Sequence, residues 1–172
     1  TGIFNVPIVE DQLALRVAAE FRGGGGWQDQ PGAGIEDGND EQLTNINAKL
    51  LWKPTDKLEI LANVLYYNAE YELGLGYENP DRTVYVSDDS TTALIPKIWD
   101  YQTYSLELTY DLGFAEFLSS TVYSEMDLQY PFTYNGGAET IYDGGLGGYS
   151  HRYNPGDQFS QEILLTSMGD GP

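Results

Sequence analysis

Hydrophobic and polar residues alternate along most of this chain with a period of two, which is typical of β-strands with one apolar and one polar face. The stretches of strict alternation are residues 13–22, 45–53 and 103–111. Alternation is weaker in residues 58–71 and 114–126, and in 114–126 it does not fix which side chains share a face. A last run, residues 159–167, places Phe159, Gln161, Ile163 and Leu165 on one side. The pattern predicts an all-β fold, an antiparallel up-and-down meander in which each strand pairs with the next one along the chain.

The same alternation predicts two chemically different faces. The apolar face is expected to carry Leu15, Val17, Leu50, Leu106 and Leu108. The opposite face is expected to carry Arg16, Lys49 and Glu107. A slip of one residue in strand pairing would exchange the two sets, because successive side chains point to opposite faces.

Connections between the strands alternate in length. Short turns are expected near residues 7–12, 54–57, 112–113 and 168–172. Long loops are expected at residues 23–43, 72–100 and 127–157. Loops of this length are uncommon in a compact soluble domain. Short turns at one end of the strands and long loops at the other are typical of an outer-membrane β-barrel.

Aromatic residues are expected near both ends of the strands. Those near the long-loop end are Phe21, Tyr66, Tyr104, Tyr123 and Phe159. Those near the short-turn end are Trp52, Tyr110 and either Phe114 or Phe117. Two aromatic belts around an aliphatic band match the two interfaces of a bilayer. A soluble β-sandwich is the alternative, although its core gives no reason to segregate aromatic residues to strand ends.

Composition narrows the function classes. The 172 residues include 8 Lys and Arg against 27 Asp and Glu, a formal net charge of −19, so no nucleic-acid partner is expected. Cysteine is absent and His151 is the single histidine, which excludes thiolate metal sites and cysteine nucleophiles. We therefore expect no enzyme, no cofactor and no metal centre. No run of about 18 apolar residues predicts a transmembrane helix.

Four segments resemble turn and strand segments of TonB-dependent outer-membrane receptors. They are residues 6–16, 52–58, 110–115 and 159–163. The resemblance implies a barrel of about 22 strands filled by an N-terminal plug, of which this chain would supply about strand 2 to strand 8. No plug sequence and no later strands are recognisable, and the chain begins at Thr1 without a leader, so we expect a piece of a larger protein.

The resemblance implies energy-coupled uptake of a scarce nutrient, such as a metal chelate, a vitamin or an oligosaccharide, in the bacterial cell outer membrane. The implied partners are outer-membrane lipid, the remainder of the barrel and plug, an inner-membrane energy-coupling protein that acts through the plug, and the small-molecule ligand. The chain itself would supply barrel wall and extracellular loops. A passive outer-membrane pore and a soluble carbohydrate-binding β-sandwich are the alternative functions.

Loop aromatics are the candidate ligand-binding residues, because aromatic planes offer contact area at a low entropy cost. The candidates are Trp27, Trp99 and Tyr134. Residues 37–41 have some of the oxygen-rich character of a calcium loop but lack the spacing of an EF-hand, and a solvated acidic loop is the favoured interpretation. The glycine run 23–26 is expected to begin a loop, since no phosphate-binding sequence follows it.

Overall fold

The computed structural model describes residues 1–30, 35–72, 77–78, 85–86, 96–134 and 148–168, with side chains in 1–27, 36–71, 97–129 and 153–168. Its main feature is one sheet of seven antiparallel strands. In spatial order the strands are β1 (Gly2–Val9), β2 (Leu13–Gly24), β5 (Glu41–Thr55), β6 (Leu58–Glu72), β9 (Pro96–Asp111), β10 (Ala115–Tyr134) and β11 (Gly148–Ser167). Two small antiparallel pairs lie in the connections: β3 (Gln28–Gln30) with β4 (Ile35–Gly38), and β7 (Tyr77–Glu78) with β8 (Tyr85–Val86).

The spatial order of the large strands follows their order in the sequence, which confirms the all-β, antiparallel up-and-down prediction. The sheet is not closed, because β1 and β11 lie at its two edges and do not pair with each other. The described residues contain no helix, and so none that is long and apolar enough to cross a membrane.

Strand register confirms the predicted division into two faces, since directly paired residues of neighbouring strands share a face. On one face, Leu15 pairs with Leu50, and the same row continues through Ala62 to Leu106. We call this the apolar face. On the other face, the row from Arg16 passes through Lys49, Asn63 and Ser105. We call this the polar face, and it also carries Glu107.

The register also shows which side chains of residues 114–126 share a face, which the sequence pattern did not determine. Phe117 pairs with Tyr110, and Tyr123 pairs with Tyr104, so both lie on the apolar face. Phe114 lies outside the strand, in the connection between β9 and β10, where it is 71% exposed.

Several strand boundaries differ from the predicted ones. The segment 2–9, which the alternation did not single out, is strand β1, and Pro7 belongs to it rather than to the turn. Strand residues also lie within all three stretches predicted as long loops. The largest difference is at 127–157, where β10 and β11 stay paired from Asp127–Pro155 out to Tyr134–Gly148. Backbone pairing extends these strands beyond the segment that the alternation marks.

Short connections lie at one end of the sheet, as expected for alternate connections of a meander. They are residues 10–12, 56–57 and 112–114. Gly113 has a φ of +86°, a conformation that glycine adopts without strain, and its amide donates a 2.6 Å hydrogen bond to Asp111 Oδ1. The opposite ends of the strands are joined by the longer connections. Of the predicted turn at 168–172, residues 169–172 lie outside the described residues.

The sheet is a single layer without a conventional core. Among the described side chains the buried hydrophobic residues are Ala69 and Ala115. Large apolar side chains of the apolar face stay open instead, including Leu106 at 50% exposed and Ile163 at 64%. A soluble domain buries such a face against a second layer. No second layer packs on it in the part of the chain that is described.

Candidate ligand-binding surface

The three predicted candidates lie on different elements of the structure. Trp27 lies outside the main sheet, immediately before β3. Trp99 lies within β9 of the main sheet. Tyr134 is the last residue of β10, where its backbone pairs with Gly148, and its side chain lies outside the described residues.

Trp27 is held at its backbone and exposed at its side chain. Its amide donates hydrogen bonds to the carbonyl oxygen of Gly38 at 3.2 Å and to Asn39 Oδ1 at 3.0 Å. Asp37 and Asn39 have positive φ angles of 53° and 66°, which bend the chain so that these two acceptors face the amide. The Trp27 residue is 68% exposed. The loop therefore presents a largely exposed Trp27 from a backbone position that is fixed by hydrogen bonds.

The stretch 37–41, considered above for calcium, has a structural role. Asn39 Oδ1 accepts the Trp27 amide, and Glu41 forms an ion pair with Arg22 at 3.2 Å. Within the described residues no group of three or more His, Cys, Asp or Glu side chains is placed to hold a metal ion. Two of the oxygen-bearing side chains here, those of Asn39 and Glu41, therefore contact the loop and the neighbouring strand.

Trp99 belongs to a group of aromatic residues on the polar face, which differs from its predicted place in a loop because β9 begins at Pro96. Register places it beside Ala69, with Tyr67 and Tyr71 two residues either side of Ala69 on β6 and with Tyr101 two residues along β9. We call Tyr67, Tyr71, Trp99 and Tyr101 the aromatic cluster. Ala69 is 0% exposed because the larger side chains around it cover it, while Trp99 remains 39% exposed.

Hydroxyl groups contact the tyrosines of the cluster. The Tyr101 hydroxyl donates to Ser124 Oγ at 3.5 Å, and Ser124 is in turn 3.1 Å from Thr103 Oγ1. The hydroxyls of Tyr67 and Tyr71 are 3.5 Å apart. Both tyrosine contacts are long for hydrogen bonds between hydroxyls, so the position of the rings depends mainly on the strand register.

The two cations near the cluster, Arg22 and Lys97, contact neighbouring groups. Lys97 Nζ lies 5.0 Å from the centroid of the Trp99 ring, within the range of a cation–π contact. Arg22 is paired with Glu41, which lies opposite Tyr71 across the β5–β6 pair. Glu20 adds a negative charge to this surface, because its row on the polar face runs through Asn45 to Tyr67. The rest of the surface is aromatic, hydroxyl and amide.

Sequence reasoning singled out Trp99 but missed Tyr67, Tyr71 and Tyr101. The signal was present, because Tyr67 and Tyr71 share the strand face that interrupts the apolar alternation of 58–71. What the sequence lacked was the register of β6 against β9, which sets Tyr67 opposite Tyr101.

The apolar face becomes acidic toward the long-loop end. Asp100 lies opposite Asp127, and Glu125 lies opposite Asp157. Asp100 accepts a hydrogen bond from Asn68 Nδ2 at 3.2 Å, and Asp127 accepts one from the Tyr153 hydroxyl at 3.1 Å. These carboxylates mark the height on the sheet at which the apolar face ends.

A cavity of about 780 Å³ lies between the short turns at the other end of the sheet. Its lining includes Glu10, Asp56 and Asp111, and it also contains the Lys53–Glu59 ion pair, whose Nζ–Oε2 distance is 2.7 Å. The side chains of that pair are 46% and 44% exposed, so solvent screens it. The described lining of this cavity is mostly charged and polar.

Comparison with known proteins does not assign this chain to a family. No protein-family model, curated protein or solved structure matches it. The function is inferred below from the two faces of the sheet and the aromatic cluster.

Proposed function

We propose that this chain forms part of the wall of a bacterial outer-membrane receptor of the TonB-dependent type, which takes up a scarce nutrient. The observation that carries the proposal is the exposed apolar face of a single-layer, antiparallel meander. Leu50, Leu106 and Leu165 on this face are 38%, 50% and 63% exposed. Lipid is the environment in which such a face is stable without a second protein layer.

Strand length supports a membrane-spanning sheet. Excluding the edge strand β1, the strands of the main sheet have 12, 15, 15, 16, 20 and 20 residues. A tilted transmembrane strand needs about 9–11 residues, whereas strands of globular proteins most often have about 5–6. Strands of this length cross the hydrocarbon and continue beyond it at the long-loop end.

Two tyrosines support a membrane interface near the long-loop end. The Tyr104 hydroxyl donates to Gln102 Oε1 at 2.8 Å, and the Tyr123 hydroxyl donates to Glu125 Oε1 at 2.8 Å. Both acceptors lie two residues closer to the long-loop end than the tyrosine, although β9 and β10 run in opposite directions. Each ring therefore lies on the apolar band while its hydroxyl points out of it, as expected of an interfacial aromatic belt.

Polar residues that interrupt the apolar face bond to one another. Gln161 Oε1 accepts from Thr121 Oγ1 at 2.6 Å, and Gln161 Nε2 donates to Ser119 Oγ at 3.0 Å. Mutual pairing of this kind lowers the cost of placing polar groups in hydrocarbon.

In the proposed receptor, the polar face lines the lumen and the long connections lie outside the cell. The edges at β1 and β11 pair with the remainder of the barrel, which surrounds the plug. Energy from an inner-membrane protein acts through that plug, and the chain itself carries no catalytic chemistry. Its contribution is the wall, the outer loops and the lumen surface that the ligand passes.

Single-cysteine labelling tests the membrane orientation, and the chain suits it because it has no cysteine of its own. Adjacent positions form matched pairs: Leu50→Cys with Lys49→Cys, and Leu106→Cys with Glu107→Cys. In lipid vesicles a lipophilic maleimide should label the cysteines at 50 and 106, and a water-soluble one those at 49 and 107. Equal labelling within both pairs by the water-soluble reagent would contradict a lipid-facing apolar surface.

Uptake experiments test the receptor activity. A strain lacking the protein should lose growth on one limiting nutrient from a panel of ferric chelates, cobalamin and oligosaccharides, and the intact gene should restore it. Uptake should saturate and should stop when a protonophore collapses the inner-membrane gradient. Non-saturable uptake that is insensitive to the protonophore would identify a passive pore instead. A protein that stays soluble without detergent would identify the β-sandwich alternative.

A further inference from the structure

We propose that the aromatic cluster on the polar face is a binding site for a neutral oligosaccharide. This inference rests on the proposed function, because it takes the polar face as the lumen surface along which the ligand moves. It goes further by choosing one ligand class and by assigning the site to the sheet wall rather than to the loops alone.

Side-chain chemistry favours a sugar. A pyranose ring presents a patch of C–H groups on each side, and such patches stack on aromatic planes while the sugar hydroxyls reach polar groups beside them. The cluster offers Trp99, 39% exposed, next to Tyr67 and Tyr101, which pair directly across β6 and β9. Aromatic side chains on neighbouring strands give successive sugar rings a continuous surface.

Hydroxyl and amide groups stand beside these rings. Toward the short-turn end of the polar face, Thr103 and Ser124 form a hydroxyl pair with an Oγ1–Oγ distance of 3.1 Å. Asn47 Nδ2 donates to Asn63 Oδ1 at 3.0 Å on the same face. These groups both donate and accept, which matches the mixed hydrogen-bonding character of sugar hydroxyls.

The net charge of the chain favours a neutral ligand over an anionic one. The chain has a formal net charge of −19, so its field repels an anionic chelate. The nearby cations do not reverse this, since Arg22 is paired with Glu41, and Lys97 over Trp99 is a single positive charge with Glu20 in the neighbouring row of Tyr67. A neutral oligosaccharide enters without a Coulomb penalty and gains the aromatic contact.

Calorimetric titration of the full-length protein in detergent micelles tests the site. The probes are maltohexaose and cellohexaose, with hexagalacturonate as an anionic hexamer of the same length. At least one neutral hexamer should bind saturably, and hexagalacturonate should bind about tenfold or more weakly. Trp99→Ala and Tyr101→Ala should each weaken the neutral hexamer by about tenfold.

The matched control is Tyr104→Ala, which removes the same ring from β9 on the opposite face and should leave affinity unchanged. Heat-modifiable gel mobility confirms that each variant is folded. Folded protein that binds neither neutral hexamer, or that binds hexagalacturonate as well, overturns the proposal. A loss of affinity in Tyr104→Ala equal to that in Tyr101→Ala also overturns it. Failure of the proposed function itself is seen separately, in the cysteine labelling and the protonophore experiment.

Discussion

Gly26, which follows β2, lies close to the end of β4, where the chain turns at Asp37 and Asn39. A Cβ atom built on Gly26 would overlap the backbone carbonyl groups of Asp37 and Gly38, whereas one built on the neighbouring Gly25 meets nothing within 4 Å. The next residue, Trp27, makes the two hydrogen bonds that hold the loop to this turn. One glycine of a four-glycine run therefore fixes the base of the loop that presents Trp27.

Gly26→Ala is expected to open this contact, because backbone atoms cannot move aside as a flexible side chain can. Amide hydrogen exchange at Trp27 should become faster by about tenfold or more, which reports local opening. Gly25→Ala is the control and should leave exchange at Trp27 unchanged. If the two variants exchange equally, the close approach at Gly26 does not hold the loop.

A substitution at Gln161 tests whether the apolar face is in contact with hydrocarbon or with water. Gln161→Ala should lower the free energy of unfolding in lipid vesicles by roughly 1–3 kcal/mol, because it leaves the hydroxyls of Ser119 and Thr121 without this partner in hydrocarbon. Gln158→Ala, on the polar face of the same strand, should change it by less than about 0.5 kcal/mol. Urea unfolding followed by gel mobility measures both. Equal effects would place Gln161 in contact with water.

At the scale of strands and turns, alternation located six strands of the main sheet but not β1 and not all strand ends. It placed Leu15 with Leu50 on one face and Arg16 with Lys49 on the other, because side chains alternate between the faces, whereas their direct pairing is set by the register. The extension of β10 and β11 to Tyr134–Gly148 does not follow from the sequence pattern, since it depends on backbone pairing between two chemically irregular segments. The aromatic residues of the cluster can be identified in the sequence, but their proximity depends on the β6–β9 register, which the sequence pattern does not determine.

The positive φ of Gly113 in the β9–β10 turn predicts that a side chain at this position destabilises the protein. Gly113→Ala forces a side chain into a φ of +86° and should destabilise the hairpin by about 1 kcal/mol or more. Gly156→Ala is the control, because Gly156 lies in β11 without a positive φ and a Cβ there meets nothing within 4 Å. The unfolding midpoint in lipid vesicles should fall for Gly113→Ala alone. Equal midpoints for the two variants would show that the turn relaxes at no cost.

At the scale of the whole molecule, the described sheet presents two exposed faces, and few of its hydrophobic side chains are buried. Its apolar face ends in a tyrosine row and then in carboxylates toward the long connections, and its polar face carries charged, amide and aromatic groups. The high net negative charge favours contact with water, whereas the exposed leucines favour an apolar environment. In the proposed receptor both preferences are met, because lipid covers the apolar face and water reaches the polar face.

Leu106 and Ser105 distinguish lipid from water as the environment of the apolar face. They are neighbours on β9, and register places them on opposite faces. Leu106→Arg should lower the free energy of unfolding in lipid vesicles by about 2–4 kcal/mol, the cost of an arginine near the bilayer midplane. Ser105→Arg should lower it by less than about 1 kcal/mol, because its side chain enters the aqueous lumen. In water, a residue that is 50% exposed would tolerate arginine within about 0.5 kcal/mol. A similarly small effect of both variants in vesicles would therefore rule out a lipid-facing surface, whereas a large difference between these adjacent residues requires one.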